Sequence, residues 1–132
     1  MASLKKRGNA YYAQYYVGDK RVQTGSLKVG SFIGDHTKTS IGTLLNTGTV
    51  AGIMCNLVAG PSLMPKAVPS FCWYYHGSLQ EGRGLEDALG TARASMSRRH
   101  VDLTSAMVEL IKYTEGLTQA ERTAAIERAR RK

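Results

Sequence analysis

From Leu27 onward the apolar and small residues recur every six positions. Leu27, Ile33, Thr39, Leu45, Ala51 and Leu57 stand six apart, and four places after the leading positions come Ser31, Thr37, Thr43, Thr49 and Cys55, all small. A period of six matches neither an amphipathic helix nor a half-buried strand. It matches short parallel strands joined at corners, three to a lap, so that about eighteen residues complete one turn of a triangular column. The branched leading residue then points inward and stacks on its equivalents, while the small residue fits beside a corner. Gly34 and Gly52, each directly after a leading position, are expected to supply the positive φ that corners require. The competing reading is a run of antiparallel hairpins with glycine turns. The pattern favours a parallel β-helix of about two turns over residues 27–60.

The flanks carry other periods. Tyr11, Tyr12, Tyr15, Tyr16 and Val17 form a strand-prone stretch, Gly18-Asp19 is a turn signal, and Lys20 to Thr24 reads as a second strand. Residues 1–26 are therefore expected to form a basic, Tyr-rich hairpin leading into the coils. Residues 61–79 carry Pro61, Pro65 and Pro69 before Phe71, Cys72, Trp73, Tyr74 and Tyr75. Because proline removes a backbone donor, this segment is expected to run along the outside of the column or across its end, covering apolar edges. Residues 80–132 read as helices. Leu85, Ala88, Leu89, Ala92 and Met96 stripe a helix over 84–98, and Leu103, Met107, Leu110 and Ile111 stripe another over 104–115. A third is expected to open at Thr118, where Thr118 and Glu121 form a T-x-x-E capping box.

The 132 residues, 42% of them apolar, favour one domain with an appendage. No apolar run is long enough to span a bilayer, and no greasy stretch follows Lys5, Lys6 and Arg7 to make an export signal. The expected compartment is the reducing cytoplasm, with Cys55 and Cys72 as small buried hydrophobes. Of the net charge of +8, residues 1–26 carry +4 and residues 117–132 carry +3. Basic ends of this kind suit solubility or contact with phosphate.

Candidate chemistry is sparse. His36, the one histidine within the repeat, is the candidate general base, although adjacent Asp35 on a strand points the opposite way. Lys38 is placed to hold a phosphate, with Asn46 and Lys66 as further binding candidates. His76 precedes a glycine at a turn signal, and His100 follows Arg98 and Arg99 at a helix end. The three histidines share no metal-ligand spacing, and no P-loop, nucleophile elbow or paired-carboxylate motif is present.

Two stretches, TGSLKVGSFIGDHTKTSIGTLLNTGTVAG (Thr24 to Gly52) and MPKAVPSFCW (Met64 to Trp73), carry a resemblance to a known family. They resemble the C-terminal left-handed β-helix of sugar-phosphate nucleotidyltransferases, including those that double as glucosamine-1-phosphate acetyltransferases. LEDALGTARASMSRRHVDLT (Leu85 to Thr104) is similar to the helical tail that follows. The resemblance implies a left-handed coil, a homotrimer about its axis, and affinity for a sugar phosphate, a sugar nucleotide or acetyl-CoA. The nucleotide-binding domain of such proteins has no counterpart here, and Ser3-Leu4-Lys5 stands where an Asn-Leu-Lys element is expected. The expected role is thus a truncated oligomerisation and scaffolding module, inactive alone. The alternative is a transferase completed by a separate nucleotidyltransferase domain or by neighbouring subunits. SLKKRGNAYYAQYYVGDKRV also resembles the opening of a phage-type tyrosine recombinase, which implies DNA contact through Lys5, Lys6, Arg7 and Tyr12.

Overall fold

The computed structural model describes the backbone of residues 3–7, 10–17 and 20–23, and residues 29–131 with their side chains. Among these, strands in parallel and antiparallel pairings combine with two helices in a mixed α/β architecture, and none of the sheets closes on itself. The Gly18-Asp19 turn and the first leading residue, Leu27, lie outside the described residues.

The N-terminal unit has three strands where the sequence reading expected a hairpin. Strand β1 (Ser3–Arg7) pairs antiparallel with β2 (Ala10–Val17), which pairs antiparallel with β3 (Lys20–Gln23). The basic leader is thus itself a strand, with Lys5 opposite Tyr12 and Lys6 opposite Tyr11. Charge masked its strand character: alternation along Ser3–Arg7 is weak, and only the register against β2 reveals it.

Beyond residue 29 the chain laps back onto itself. Strands β4 (Phe32–Ile33), β6 (Val50–Ala51) and β8 (Ala67–Val68) pair in parallel, with Ile33 beside Ala51 beside Val68. Strands β5 (Lys38–Thr39), β7 (Asn56–Val58) and β9 (Cys72–Tyr75) do the same, with Thr39 beside Leu57 beside Tyr74. A parallel bridge between Leu44 and Leu63 marks a third line of contact. Parallel partners lie eighteen residues apart between the first and second laps, and seventeen between the second and third. Parallel pairing excludes the antiparallel-hairpin alternative for this region.

The corners sit elsewhere in the repeat than the glycines at 34 and 52 led the sequence reading to expect. Positive φ falls on His36, Gly42, Gly48, Met54 and Gly60, every sixth residue, and resumes one residue early at Phe71 and Gly77. Each of these residues turns the chain, and the residue after it is buried or half-buried except at Pro61 and Ser78, which are exposed. Thr49, Cys55 and Cys72, in that following position, are fully buried. At two such positions, Thr37 and Cys55, the side chain also bonds the backbone near the corners. The Thr37 hydroxyl donates to the Gly52 carbonyl at 2.6 Å and accepts from the Cys55 N–H at 3.0 Å. Gly34 and Gly52 serve close approach instead. A Cβ on Gly34 would lie 2.6 Å from the Gly52 backbone, and one on Gly52 2.2 Å from the Ser70 hydroxyl.

Residues 61–75 do not run along the outside of the repeat; they form a third lap, adding β8 and β9 as parallel strands beside β6 and β7. The prolines are compatible because each lies outside these paired strands, and the Pro69 carbonyl accepts from the Cys55 thiol at 3.1 Å. Strand β10 (Ser78–Glu81) then folds back antiparallel on β9.

Helix α1 (Leu85–Ser97) and helix α2 (Ser105–Arg130) follow. The side chain of Thr104 caps α2 by accepting from the Met107 N–H. The expected third helix is the continuation of α2, because Thr118 bonds back to the Thr114 carbonyl at 2.8 Å instead of capping a new start. Ile126 of α2 joins Leu57, Met64, Val68 and Cys72 in the column's core. A second cluster joins the corner residues Met54 and Phe71 to Leu89, Ala92 and Ile111 of the helices. Burial there offsets the cost of about 1–2 kcal/mol for holding a residue with a side chain in a left-handed conformation.

Candidate functional site

Register places Lys38, Asn56 and Trp73 side by side across β5, β7 and β9. They alternate with Thr39, Leu57 and Tyr74, of which Leu57 is fully buried. The three therefore lie on the outward side of that sheet. Opposite them run the Gly82-Arg83-Gly84 connection, the first turns of α1 and the middle of α2, and between the two walls is a cleft of about 280 Å³. The connection hugs the coil because Gly82 has no side chain: a Cβ there would lie 2.7 Å from the Phe71 carbonyl oxygen.

Three cations line this cleft, and they differ in what they face. Arg122 is 2% exposed. It donates to Glu115 at 2.6 Å, lies 3.6 Å from Glu81, and stands over the Phe71 ring at 5.6 Å. Its charge is spoken for, so it braces α2 against β10 and the coil. Lys38 and Arg83 form no ion pair among the described residues. The Lys38 ammonium donates to the His36 carbonyl at 2.9 Å, and burial holds its pKa below the ordinary lysine value. Arg83 lies over the Trp73 ring at 5.0 Å. The N-cap of α1, Gly84, offers no side chain to its first N–H groups, and this end of the helix borders the cleft. Glu81, Asp87 and Glu115 also line the cleft, Glu81 and Glu115 facing Arg122 and Asp87 lying in the first turn of α1. The two cations without an ion pair, Lys38 and Arg83, stand with the Trp73 ring, and together they suit an anionic group attached to a flat or apolar body.

Of the singled-out residues whose side chains are described, Lys38 lines this cleft and His36, Asn46 and Lys66 do not. His36 is a corner residue, φ 57°, that meets Lys38 through its carbonyl. Asn46 uses its carbonyl to accept from the Ser31 hydroxyl and the Thr49 N–H. Lys66 supports the β6–β8 side, its carbonyl accepting from the Val50 N–H at 2.8 Å. Lys5, Lys6, Arg7 and Tyr12 are defined by strand register alone. Sequence reasoning missed Asn56, Trp73, Arg83 and Arg122. The repeat itself pointed to Asn56, one lap after Lys38. Arg122 left no signal, because its burial depends on where α2 lands.

Among the described residues, no cluster of His, Cys, Asp and Glu could hold a metal ion, and no helix is long and apolar enough to cross a membrane. Compared with protein families, curated proteins and solved structures, the chain matches none of them.

Proposed function

We propose that this chain is a ligand-binding and oligomerisation module built on a short left-handed parallel β-helix, and that its cleft takes a phosphate-bearing ligand of the sugar-nucleotide or acyl-coenzyme A class. The observation that carries the reading is the pairing of Lys38 and Arg83, neither ion-paired among the described residues, in one cleft beside the Trp73 ring. A lysine whose charge is disfavoured by burial gains most from an arriving anion. The family reading from sequence agrees with this chemistry, and the six-residue spacing of the corners suits a three-sided coil. Exposed Ile41, Leu44, Val50 and Leu63 on the first two laps favour the homotrimer that the resemblance implies. Two free thiols suit a reducing compartment such as the cytoplasm. His36 lies outside the cleft lining, which favours binding over acetyl transfer by the chain alone.

Calorimetry with UDP-N-acetylglucosamine, coenzyme A and inorganic diphosphate tests the reading. Binding of at least one probe is expected, weakened about tenfold or more (roughly 1.4 kcal/mol) by Lys38→Met or Arg83→Ser. Lys38→Met is also expected to raise stability near neutral pH, since it removes a charge that burial disfavours. Its sign follows from the depressed pKa: the protonated lysine opposes folding until pH climbs towards 10.5. No binding by any probe, or binding indifferent to both substitutions, overturns the proposal.

A second reading, nucleic-acid binding, draws support from the N-terminal sheet. By register, Lys5, Arg7 and Arg21 share a face with Tyr12 and Tyr16, whereas Lys6 falls on the other face with Leu4, Tyr11, Ala13, Tyr15, Lys20 and Val22. A basic, aromatic face suits a phosphate backbone with exposed bases or groove edges. Its signature is duplex or single-strand affinity that falls steeply with salt, with a shallower slope in Lys5→Gln/Arg7→Gln/Arg21→Gln. Salt-independent affinity removes this reading and leaves the cleft untouched.

A further inference from the structure

Helix α2 carries two opposed faces. Val108, Ile111, Glu115, Arg122 and Ile126 turn toward the body of the molecule and are buried or half-buried. On the other side stand Ala106, Leu110, Tyr113, Leu117, Ala120 and Ala124, spaced alternately four and three residues apart. Leu110, Tyr113 and Leu117 are 65%, 68% and 69% exposed. A lone surface helix buries one stripe and solvates the other, but here the outer stripe is itself apolar and keeps the alternating four-and-three spacing by which one helix seats against another.

We propose that α2 pairs with α2 of a second copy in an antiparallel, two-fold-symmetric coiled coil. The seam is symmetric about the level of Glu115, so antiparallel pairing sets Tyr113 against Leu117, Leu110 against Ala120 and Ala106 against Ala124. Leu110 then meets the small Ala120 on either side of the central Tyr113–Leu117 layers, and the outermost layers are alanine on alanine. Charge selects the same orientation. The last turns of α2 carry Arg128, Arg130 and Arg131 against Glu127, whereas in its first turns Lys112 is bridged to Glu109 at 3.2 Å and Asp102 precedes the helix. Antiparallel helices keep the two basic ends apart and set each beside a start without excess cation, whereas parallel helices would crowd the cations together. Gly116, beside the two-fold, adds to the argument. Nothing lies within 4 Å of where its Cβ would be, so the fold of one copy does not require a glycine there. A glycine inside a helix costs about 1 kcal/mol relative to alanine, and close approach of a partner helix accounts for it.

This inference does not rest on the cleft or on the coil-mediated trimer. Light scattering on the full chain is expected to give an even number of copies: two, or six if coils also associate. Leu110→Lys/Leu117→Lys is expected to halve that mass while far-UV circular dichroism stays unchanged. A short bis-maleimide is expected to join Gly116→Cys to itself near the two-fold and to leave Ala106→Cys uncoupled, because its partner lies about 27 Å along the helix. The native Cys55 and Cys72 are buried and give the background in unsubstituted protein. A monomeric or trimeric mass that the lysine variant does not change overturns the helix pairing, and the trimeric result leaves the coil reading standing. Coupling of both cysteine variants overturns the antiparallel arrangement.

Discussion

The first and third laps follow the same six-residue pattern and end in different environments. In the first, the residues at leading positions remain open to solvent: Ile33 is 41% exposed and Leu45 40%. In the third, the equivalent Val68 is sealed and Tyr74 half-buried, with Ile126 from α2 in the same core. Identical periodicity thus sets where side chains point but not whether they are buried. Burial is decided by what stacks above and below: among the described residues the third lap has a neighbouring lap and a helix, whereas the first has a neighbouring lap on one side.

Crowding between laps gives the sharpest way to break this comparison. Gly52→Ala drives a Cβ into Ser70 between the second and third laps and is expected to cost about 3 kcal/mol or more, read as a lowered urea midpoint. Gly34→Ala meets the Gly52 backbone equally closely, but the first lap can shift toward solvent, so its cost is expected to be smaller. Equal losses at the two sites would show the first lap to be as rigidly held as the third.

Core truncation should separate the laps next. Leu57→Ala, at a fully buried site, is expected to lose about 2–5 kcal/mol, and Ile33→Ala about 1 kcal/mol or less in a dissociated chain. Measuring both under conditions that favour association sharpens the test, since a second copy covering the first lap would raise the cost at Ile33.

The pH dependence follows from the thiols in the column. Burial pushes the Cys72 pKa up from 9.0 to about 12, with the neighbouring Cys55 adding to the rise. A raised folded-state pKa leaves full stability below pH 9 and withdraws it as pH climbs toward 12, because the unfolded thiol ionises first. Cys72→Ala is therefore expected to be less stable at pH 7, from the lost packing, yet to show a flatter decline over that alkaline window. A parallel decline in both proteins would mean that Cys72 ionises as readily folded as unfolded.

The smallest effect concerns Thr49. Its hydroxyl is buried and finds no hydrogen-bond partner among the described residues. Replacing it with the near-isosteric Thr49→Val is expected to raise stability by about 1 kcal/mol, measured by thermal or urea unfolding.

The repeat was legible because stacked laps constrain every sixth residue in the same way. The spacing alone places small residues such as Thr37 and Cys55 beside corners, and they directly follow the corner residues His36 and Met54. The corners were misplaced because Met54 and Phe71 violate the usual glycine preference, being held in that conformation by the helices that cover them. The third lap was hidden by its prolines and by the single residue dropped before it. Of the site, Lys38 could be found in the sequence, whereas Arg83 and Arg122 could not.

By itself the sequence determined the length of a lap, the inward residues and the presence of helices after Gly84, since each is a local or strictly periodic demand on the chain. The tertiary structure alone decided that α2 runs unbroken, which end of the column it seals, and that a β-sheet face and a helical wall enclose one cleft. Those outcomes depend on contacts between segments far apart in the chain, where packing free energy outweighs local preference and leaves no periodic trace.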